Sequence, residues 1–458
     1  MTSKQGYPRE VTISMPEIEQ QSDFISEERK KLKSASLEIP NRRIDVPQTT
    51  KPLIQRVTPL LISGIKENLK TYFEPRMVAF GPLHHGNPKF DPAERMKREW
   101  AALFIQENQT SDNALFLEIK AEIQDLRKCY KWEDIKDYDD DELAWMFLVD
   151  GCAVLHTVKS IADPKKLFIS ENVDLSFAQL DLFLLENQLP YRVLKILIGL
   201  TKEPRMWELS ITKYMNWNLM TNIPSRIRSE QPEEEKKRQD YAHLLERLRT
   251  ELFTGIVEKC SSGVIGKMLF WCGDSAKNKK LVLSIKDLKE SGIQVSPNMT
   301  DNPRNISFHC NILGSLKMPC LGLDGPAASK FVNLVALEMC RDFDNDHAVS
   351  SYLWFISTLL QTPEDVKELR VRGVLYNFFG NDEEVVNLFN GISEALTTPN
   401  LLLYFEVMES IQRYCNSWLI RISSKYFSRN WSFLAFLGAI AGLLLSLLQT
   451  YFTIIQKK

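Results

Sequence analysis

The sequence predicts a mainly α-helical soluble region with a small β-hairpin, followed by one C-terminal transmembrane helix. Three observations carry this. From Trp431 to Ile455 the chain reads WSFLAFLGAIAGLLLSLLQTYFTII, without Asp, Glu, Lys, Arg or His. A helix of that length spans roughly 37 Å, against a hydrocarbon core of about 30 Å. Upstream, apolar residues recur at helical spacing in most blocks. Strict alternation appears only near 303–323.

Bulk composition narrows the function classes. At 458 residues, 44% hydrophobic and 25% charged, the chain is long enough for a substantial core and two subdomains. Lys and Arg total 57 against 59 acidic residues, so no global field points to nucleic acid. Eight Cys residues contain no C-x-x-C pair, which suits buried thiols in a reduced compartment better than a disulfide framework.

Residues 1–50 are polar and aperiodic, with a basic cluster at Arg29, Lys30, Lys31 and Lys33. They read as a flexible arm. The first thirty residues contain no apolar run of signal-peptide length, so the expected topology is a tail anchor whose soluble domain faces the cytosol. The membrane itself is expected to be the plasma membrane or an endomembrane.

Residues 51–224 form the first expected subdomain. The stretch 72–92 is too rich in Pro and Gly for a long helix and reads as a structured loop, extended near Met77–Phe80. A helix over Pro92–Glu107 places Met96, Trp100, Leu103 and Phe104 on one face. Asp139 and Glu142 have capping-box spacing before the apolar LAWMFLVDGCAVLH. A calcium loop at 137–142 lacks the alternating oxygen ligands and central Gly such loops need. Asp174 is positioned to cap a central core helix, SFAQLDLFLLENQLPYRVLKILIGL, which Pro190 should kink or end. Within it, Glu186, Asn187 and Gln188 either satisfy backbone freed by Pro190 or form a buried polar network lining a pocket.

The charged, Pro-containing stretch 225–240 reads as a linker, and 241–415 as a second subdomain. A helix begins at Tyr241. Ile306, Phe308 and Cys310 alternate, Gly314-Ser315 supplies a two-residue turn, and Leu316, Met318 and Cys320 alternate back. Helices are expected over Ser329–Cys340 and Ala348–Leu360. Thr362 with Pro363 opens another that Gly373 closes, and Gly380–Glu384 opens a last one carrying Val385, Val386, Leu388 and Phe389. Residues 416–430 form a basic juxtamembrane segment, 431–455 the span and 456–458 a short tail.

A search for chemistry finds no catalytic residue, cofactor site or metal site. Residues 262–268, SGVIGKM, lack the leading Gly and closing Ser/Thr of a P-loop. Adjacent His84 and His85 rarely converge on one ion, and one is expected to pack while the other meets water. Cys310 and Cys320, with His309 nearby, are expected to pack on a core face rather than to bind metal. The motif with a mechanism lies in the span. Ala435, Gly438, Ala439 and Gly442 form a small-residue face through which two copies could dimerise. Arg421, Lys425, Arg429 and Trp431 flank the span on one side, and Tyr451, Lys457 and Lys458 on the other.

The blocks VAFGPLHHGNP, MFLVDGCAVLH, DLFLLENQLPYRVL, IKDLKESGIQV, FVNLVALEMC and DVKELRVRGVLYNFFGNDEEVVNLFN then follow in an order that resembles the plant family called domain of unknown function number 247. The likeness covers roughly residues 51–455. It implies a mostly helical plant membrane protein of the UPF0481 type without an established enzymatic activity, some of whose grass relatives are linked to self-incompatibility. At 319–327, PCLGLDGPA departs from the usual segment after the hairpin. The expected function is a membrane-anchored, non-enzymatic recognition or interaction protein, and the resemblance implies a role in cell–cell or self/non-self signalling. Its expected partners are the lipid bilayer, a second copy and unidentified proteins. The alternatives are a tail-anchored scaffold for cytosolic partners and a membrane-associated enzyme built around His84, His85 and the 186–188 trio.

Overall fold

The computed structural model describes residues 30, 53–162, 178–219, 240–253, 284–298, 302–310, 313–341, 343, 346–396, 400, 402–416 and 430–456. The expected N-terminal arm apart from Lys30, the Asp174 cap, the P-loop-like stretch and all but Asp240 of the 225–240 linker lie outside them.

The helices form where local signals converge. Helix α1 (Asp91–Asn108) starts with Pro92 in its first turn and ends at Gln109 in the left-handed region, φ 50°. Ser111 caps α2 (Asp112–Ala121) by accepting from the Ala114 N–H. Helix α3 (Asp140–Ala162) is preceded by the expected capping box: Asp139 Oδ1 accepts from the Glu142 N–H at 2.8 Å, and Glu142 Oε2 accepts from the Asp139 N–H at 3.1 Å. It packs against α1, α2, α4 (Tyr191–Gly199) and α5 (Pro204–Asn218), so it is buried nearly all round. Helix α6 (Leu244–Leu252) follows.

Three strands come next: β1 (Ile293–Pro297), β2 (Ser307–Cys310) and β3 (Gly314–Met318) in the order β1-β3-β2. The expected hairpin is β2–β3, antiparallel, with Phe308 opposite Leu316. Its connection is 311–313, so Gly314 and Ser315 open β3 rather than form a turn. Gly314 serves close approach: a Cβ there would lie 2.8 Å from Ile293 Cγ1 and 3.0 Å from Tyr414 Cε1. The parallel partner β1 was not anticipated, nor was the two-stranded parallel sheet of β4 (Leu321–Leu323) and β5 (Leu375–Asn377).

Asp324 caps α7 (Gly325–Glu338) and Pro326 occupies its first turn, so this helix starts four residues before the expected Ser329. Thus the divergent 319–327 stretch builds β4 and the cap of α7. Helices α8 (Ala348–Leu359), α9 (Pro363–Val371, with the Thr362–Asp365 capping box) and α10 (Asp382–Ala395) match their sequence signals. Helix α10 lies on α8 and α9, and α11 (Leu402–Asn416) on α8 and β2. Helix α12 (Asn430–Gln456) ends the described chain. Among the described residues one contiguous apolar core runs from Ile54 to Tyr414.

Two helical expectations need correction. The buried face of α1 holds Ala93, Lys97, Trp100, Ala101, Phe104 and Asn108, while Leu103 is exposed and Met96 half-buried. The face is rotated because Lys97 and Asn108 find buried partners, which apolar periodicity ignores. The central core helix is α3. Of the helix expected over 176–200, the described residues show a helical turn at 178–181 and α4; residues 182–190 between them are irregular and, apart from half-buried Glu186, buried.

Candidate functional site

An irregular segment can be buried only if its backbone groups find partners. Here the partners are side chains, and they join the 76–81 extended piece to the 182–190 segment. Asp181 accepts from three successive N–H groups, of Arg76, Met77 and Val78, at 3.0, 2.8 and 2.9 Å. Asn187 Oδ1 accepts from the Phe80 N–H at 2.7 Å, and its Nδ2 donates to the Val78 and Asp181 carbonyls, each at 2.9 Å. Gln188 Nε2 donates to the Leu182 and Leu184 carbonyls, and its Oε1 accepts from the Leu245 N–H at the start of α6. From α7, Asn333 Oδ1 accepts from the Leu185 N–H at 2.9 Å.

An ion pair closes the hub. Lys97 Nζ lies 2.6 Å from Asp150 Oδ1 and 2.7 Å from Glu94 Oε1, and donates to the Ala79 carbonyl at 2.8 Å. Asp150 Oδ2 accepts from the Gly81 N–H at 2.8 Å. Lys97 and Asp150 are both almost wholly buried. Burial alone would lower the Lys97 pKa, but Asp150 and Glu94 outweigh it and hold the amine above its ordinary value. Burial pushes the Asp150 carboxyl up, against Lys97 and the Gly81 amide. The next residue is Gly151, where a Cβ would lie 2.5 Å from Leu197 Cδ1, so the glycine lets α4 approach α3. Cys152 is fully buried, and burial pushes its thiol pKa up.

The Glu186–Gln188 trio is therefore a buried network, and it serves far more backbone than Pro190 frees. None of the three lines the shallow concavity formed by Tyr72, Arg76, Leu184, Gly325, Pro326 and Ser329 with their neighbours. Glu186 stands at the hub's outer edge. Its Oε1 accepts from the Val57 N–H at 2.8 Å, and its Oε2 lies 3.3 Å from His84 Nε2 and 3.5 Å from Arg56 Nη1. Burial raises its pKa, but His84, the Val57 amide and Arg56 outweigh that and keep the carboxyl below its ordinary value. His85 is exposed and meets the Tyr138 ring edge-on at 6.0 Å. The adjacent histidines thus diverge, as their spacing suggested.

Sequence reasoning missed Lys97, Asp150, Asp181 and Asn333. A lone charged or amide residue inside an apolar helical face was the available signal for Lys97, Asp150 and Asn333. Cys310 and Cys320 do not share a core face: Cys310 is exposed at the end of β2, while Cys320 is buried beyond β3 with its Sγ 3.5 Å from the Gly373 carbonyl. Among the described residues no group of three or more His, Cys, Asp or Glu is arranged to hold a metal.

The hub extends to His243. Its Nδ1 accepts from the Glu246 N–H at 3.2 Å and caps α6, which requires a neutral ring. Complete burial lowers its pKa to about 3. Between an ordinary value near 6.5 and that depressed value the unfolded chain binds more protons than the folded one, so stability falls as pH falls through the window. The loss reaches about 4 kcal/mol by pH 3. In urea titrations across pH 7 to 4, His243→Asn, which keeps a cap acceptor, should flatten the acid-side slope; an unchanged slope would refute the assignment.

The second feature is α12. Ala435, Gly438, Ala439, Gly442 and Tyr451 all lie in its exposed part. A Cβ added at Gly438 or Gly442 would meet nothing within 4 Å among the described residues, so neither glycine serves packing there. Trp431 lies in the helix's first turn. Arg421, Lys425, Arg429, Lys457 and Lys458 fall outside the described residues. Among the described residues two helices are long and apolar enough to cross a membrane. In α3, mean hydropathy 1.2, 83% of the most apolar window is buried in the fold; in α12, mean hydropathy 1.7, none is.

Comparison with known proteins supplies the remaining finding. The family model DUF247, described as plant protein of unknown function, matches residues 54–445. A UPF0481 protein of Arabidopsis thaliana is 28% identical over 86% of this chain and 85% of its own length. A putative UPF0481 protein of the same plant is 28% identical over 37% of this chain and 32% of its own. No solved structure matches.

Proposed function

This chain belongs to the DUF247 family of plant proteins of unknown function, and on that footing we propose that it is a membrane-anchored, non-enzymatic recognition or interaction protein. The observation that carries the reading is the contrast between α3 and α12. Both are apolar enough to span, but α3 has a protein environment and α12 exposes Leu443, Leu445 and Leu447 at 64–66%. Exposed apolar surface on that scale is stable in lipid and unfavourable in water. At 27 residues α12 reaches roughly 40 Å, enough for a tilted span. Its small-residue face, with space beside Gly438 and Gly442, supports self-association through the bilayer. The soluble domain is read as facing the cytosol and presenting its surface to protein partners in cell–cell or self/non-self signalling.

The test is alkaline carbonate extraction of membranes carrying the full-length chain. The protein should stay in the pellet, and a chain lacking 431–455 should be released. Release of the full-length chain would sink the anchor. Asn305 reports the side: this asparagine of an Asn-Ile-Ser sequon is exposed just before β2, whereas the sequon asparagine Asn108 is buried and hydrogen-bonded to Phe104 and Trp207. A cytosolic domain should show no mobility change on N-glycosidase treatment; a change lost in Asn305→Gln would place it in the lumen.

A further inference from the structure

Side chains from four separate segments meet at the outer edge of the hub. His84 is 17% exposed, and its buried Nε2 lies 3.3 Å from Glu186 Oε2, within reach of a hydrogen bond but not in good hydrogen-bond geometry. Buried polar atoms seldom go without a well-formed hydrogen bond, so this contact calls for an explanation. Glu186 cannot readily turn away, because its Oε1 accepts from the Val57 N–H. Arg56 is also committed: Nε donates to Asp134 Oδ1 at 2.8 Å and Nη2 to the Leu83 carbonyl at 3.3 Å, leaving Nη1 3.5 Å from Glu186 Oε2. Arg56 and, through it, Asp134 are the charged groups that the ion pairs bring beside His84 and Glu186, while His85 turns to Tyr138.

The contact between a ring nitrogen and a carboxylate changes when the ring takes a proton. A neutral imidazole offers one N–H in total and no net charge, while an imidazolium offers a donor at each nitrogen and a full positive charge. We propose that His84 and Glu186 form a proton-operated latch, which ties the 81–87 turn to the 182–190 segment when His84 is protonated. Histidine is the side chain suited to switching between about pH 8 and pH 5. Arg56 already offsets part of the Glu186 charge, so the latch tunes the turn's mobility without unfolding the domain. The surface it governs carries exposed His85, Asn87 and Lys89.

Amide hydrogen exchange on the full-length chain in detergent micelles tests this, at about pH 5.5 and pH 8 with rates corrected for intrinsic pH dependence. Peptides covering 81–87 should be about fivefold better protected at the lower pH, the difference between a charge-assisted and a neutral hydrogen bond. The step should vanish in His84→Gln and in Glu186→Gln, which retains a carbonyl oxygen for the Val57 amide. It should persist in His85→Gln. Equal corrected rates at the two pH values in the unmodified chain, or a step that survives His84→Gln, would overturn the latch. If loss of α3 protection shows that Glu186→Gln disrupts the fold, His84→Gln decides alone.

Discussion

Replacing Asp150 with alanine should destabilise the fold by about 3–5 kcal/mol, because it strands the buried Lys97 ammonium without its counter-ion. The Gly81 N–H loses its acceptor in the same change. Glu94, 2.7 Å from Lys97, limits the damage but is itself partly exposed. A paired Lys97→Met and Asp150→Leu substitution should recover much of the loss, since it removes both charges and their desolvation cost together. Recovery should stay incomplete, because the Ala79 carbonyl and Gly81 N–H remain without these partners. Denaturant unfolding of the full-length chain in detergent reads both quantities. A single variant within 1 kcal/mol of the parent would show that the pair contributes little.

The second large effect belongs to Asn187. Substitution by alanine leaves the Phe80 N–H and the Val78 carbonyl unpartnered in a buried site, at about 1–3 kcal/mol each, and leaves the Asp181 carbonyl only the Leu184 N–H at 3.4 Å. A total loss of at least about 2 kcal/mol is expected. Asn187→Asp should fare no better: it keeps an acceptor for Phe80 but turns a buried charge toward two carbonyls. Amide exchange localises the effect, and Phe80 should lose protection before the α9 and α10 amides do. Loss spread evenly over the domain at small overall cost would mean that the amide does not hold the 76–81 piece in place.

The same contacts give a physical role to the blocks that carry the family resemblance. In VAFGPLHHGNP, MFLVDGCAVLH and DLFLLENQLPYRVL, the polar residues Asp150, Asp181, Asn187 and Gln188 supply backbone partners for segments too irregular to pair with themselves. Read along the chain, Glu186–Gln188 is recognisable as a buried polar group, but its recipients at residues 57, 80 and 245 are far away in sequence. The helix expected across 182–190 fails for the same reason. Apolar content signalled burial correctly, but the competing hydrogen bonds came from Asn333 and from the segment's own amides.

What the sequence alone determined was local. The Asp139–Glu142 and Thr362–Asp365 caps, Pro at the first turns of α1 and α9, the β2–β3 alternation and the uncharged 431–455 run all depend on residues within a few positions of one another. Such interactions need no knowledge of the rest of the chain. Tertiary structure decided which of two comparably apolar helices is core and which is exposed, and it decided that Lys97 is an interior residue. It also separated Cys310 from Cys320 and brought His84 to Glu186. Hydropathy measures how poorly a segment suits water; the company the folded chain provides determines where that segment goes instead.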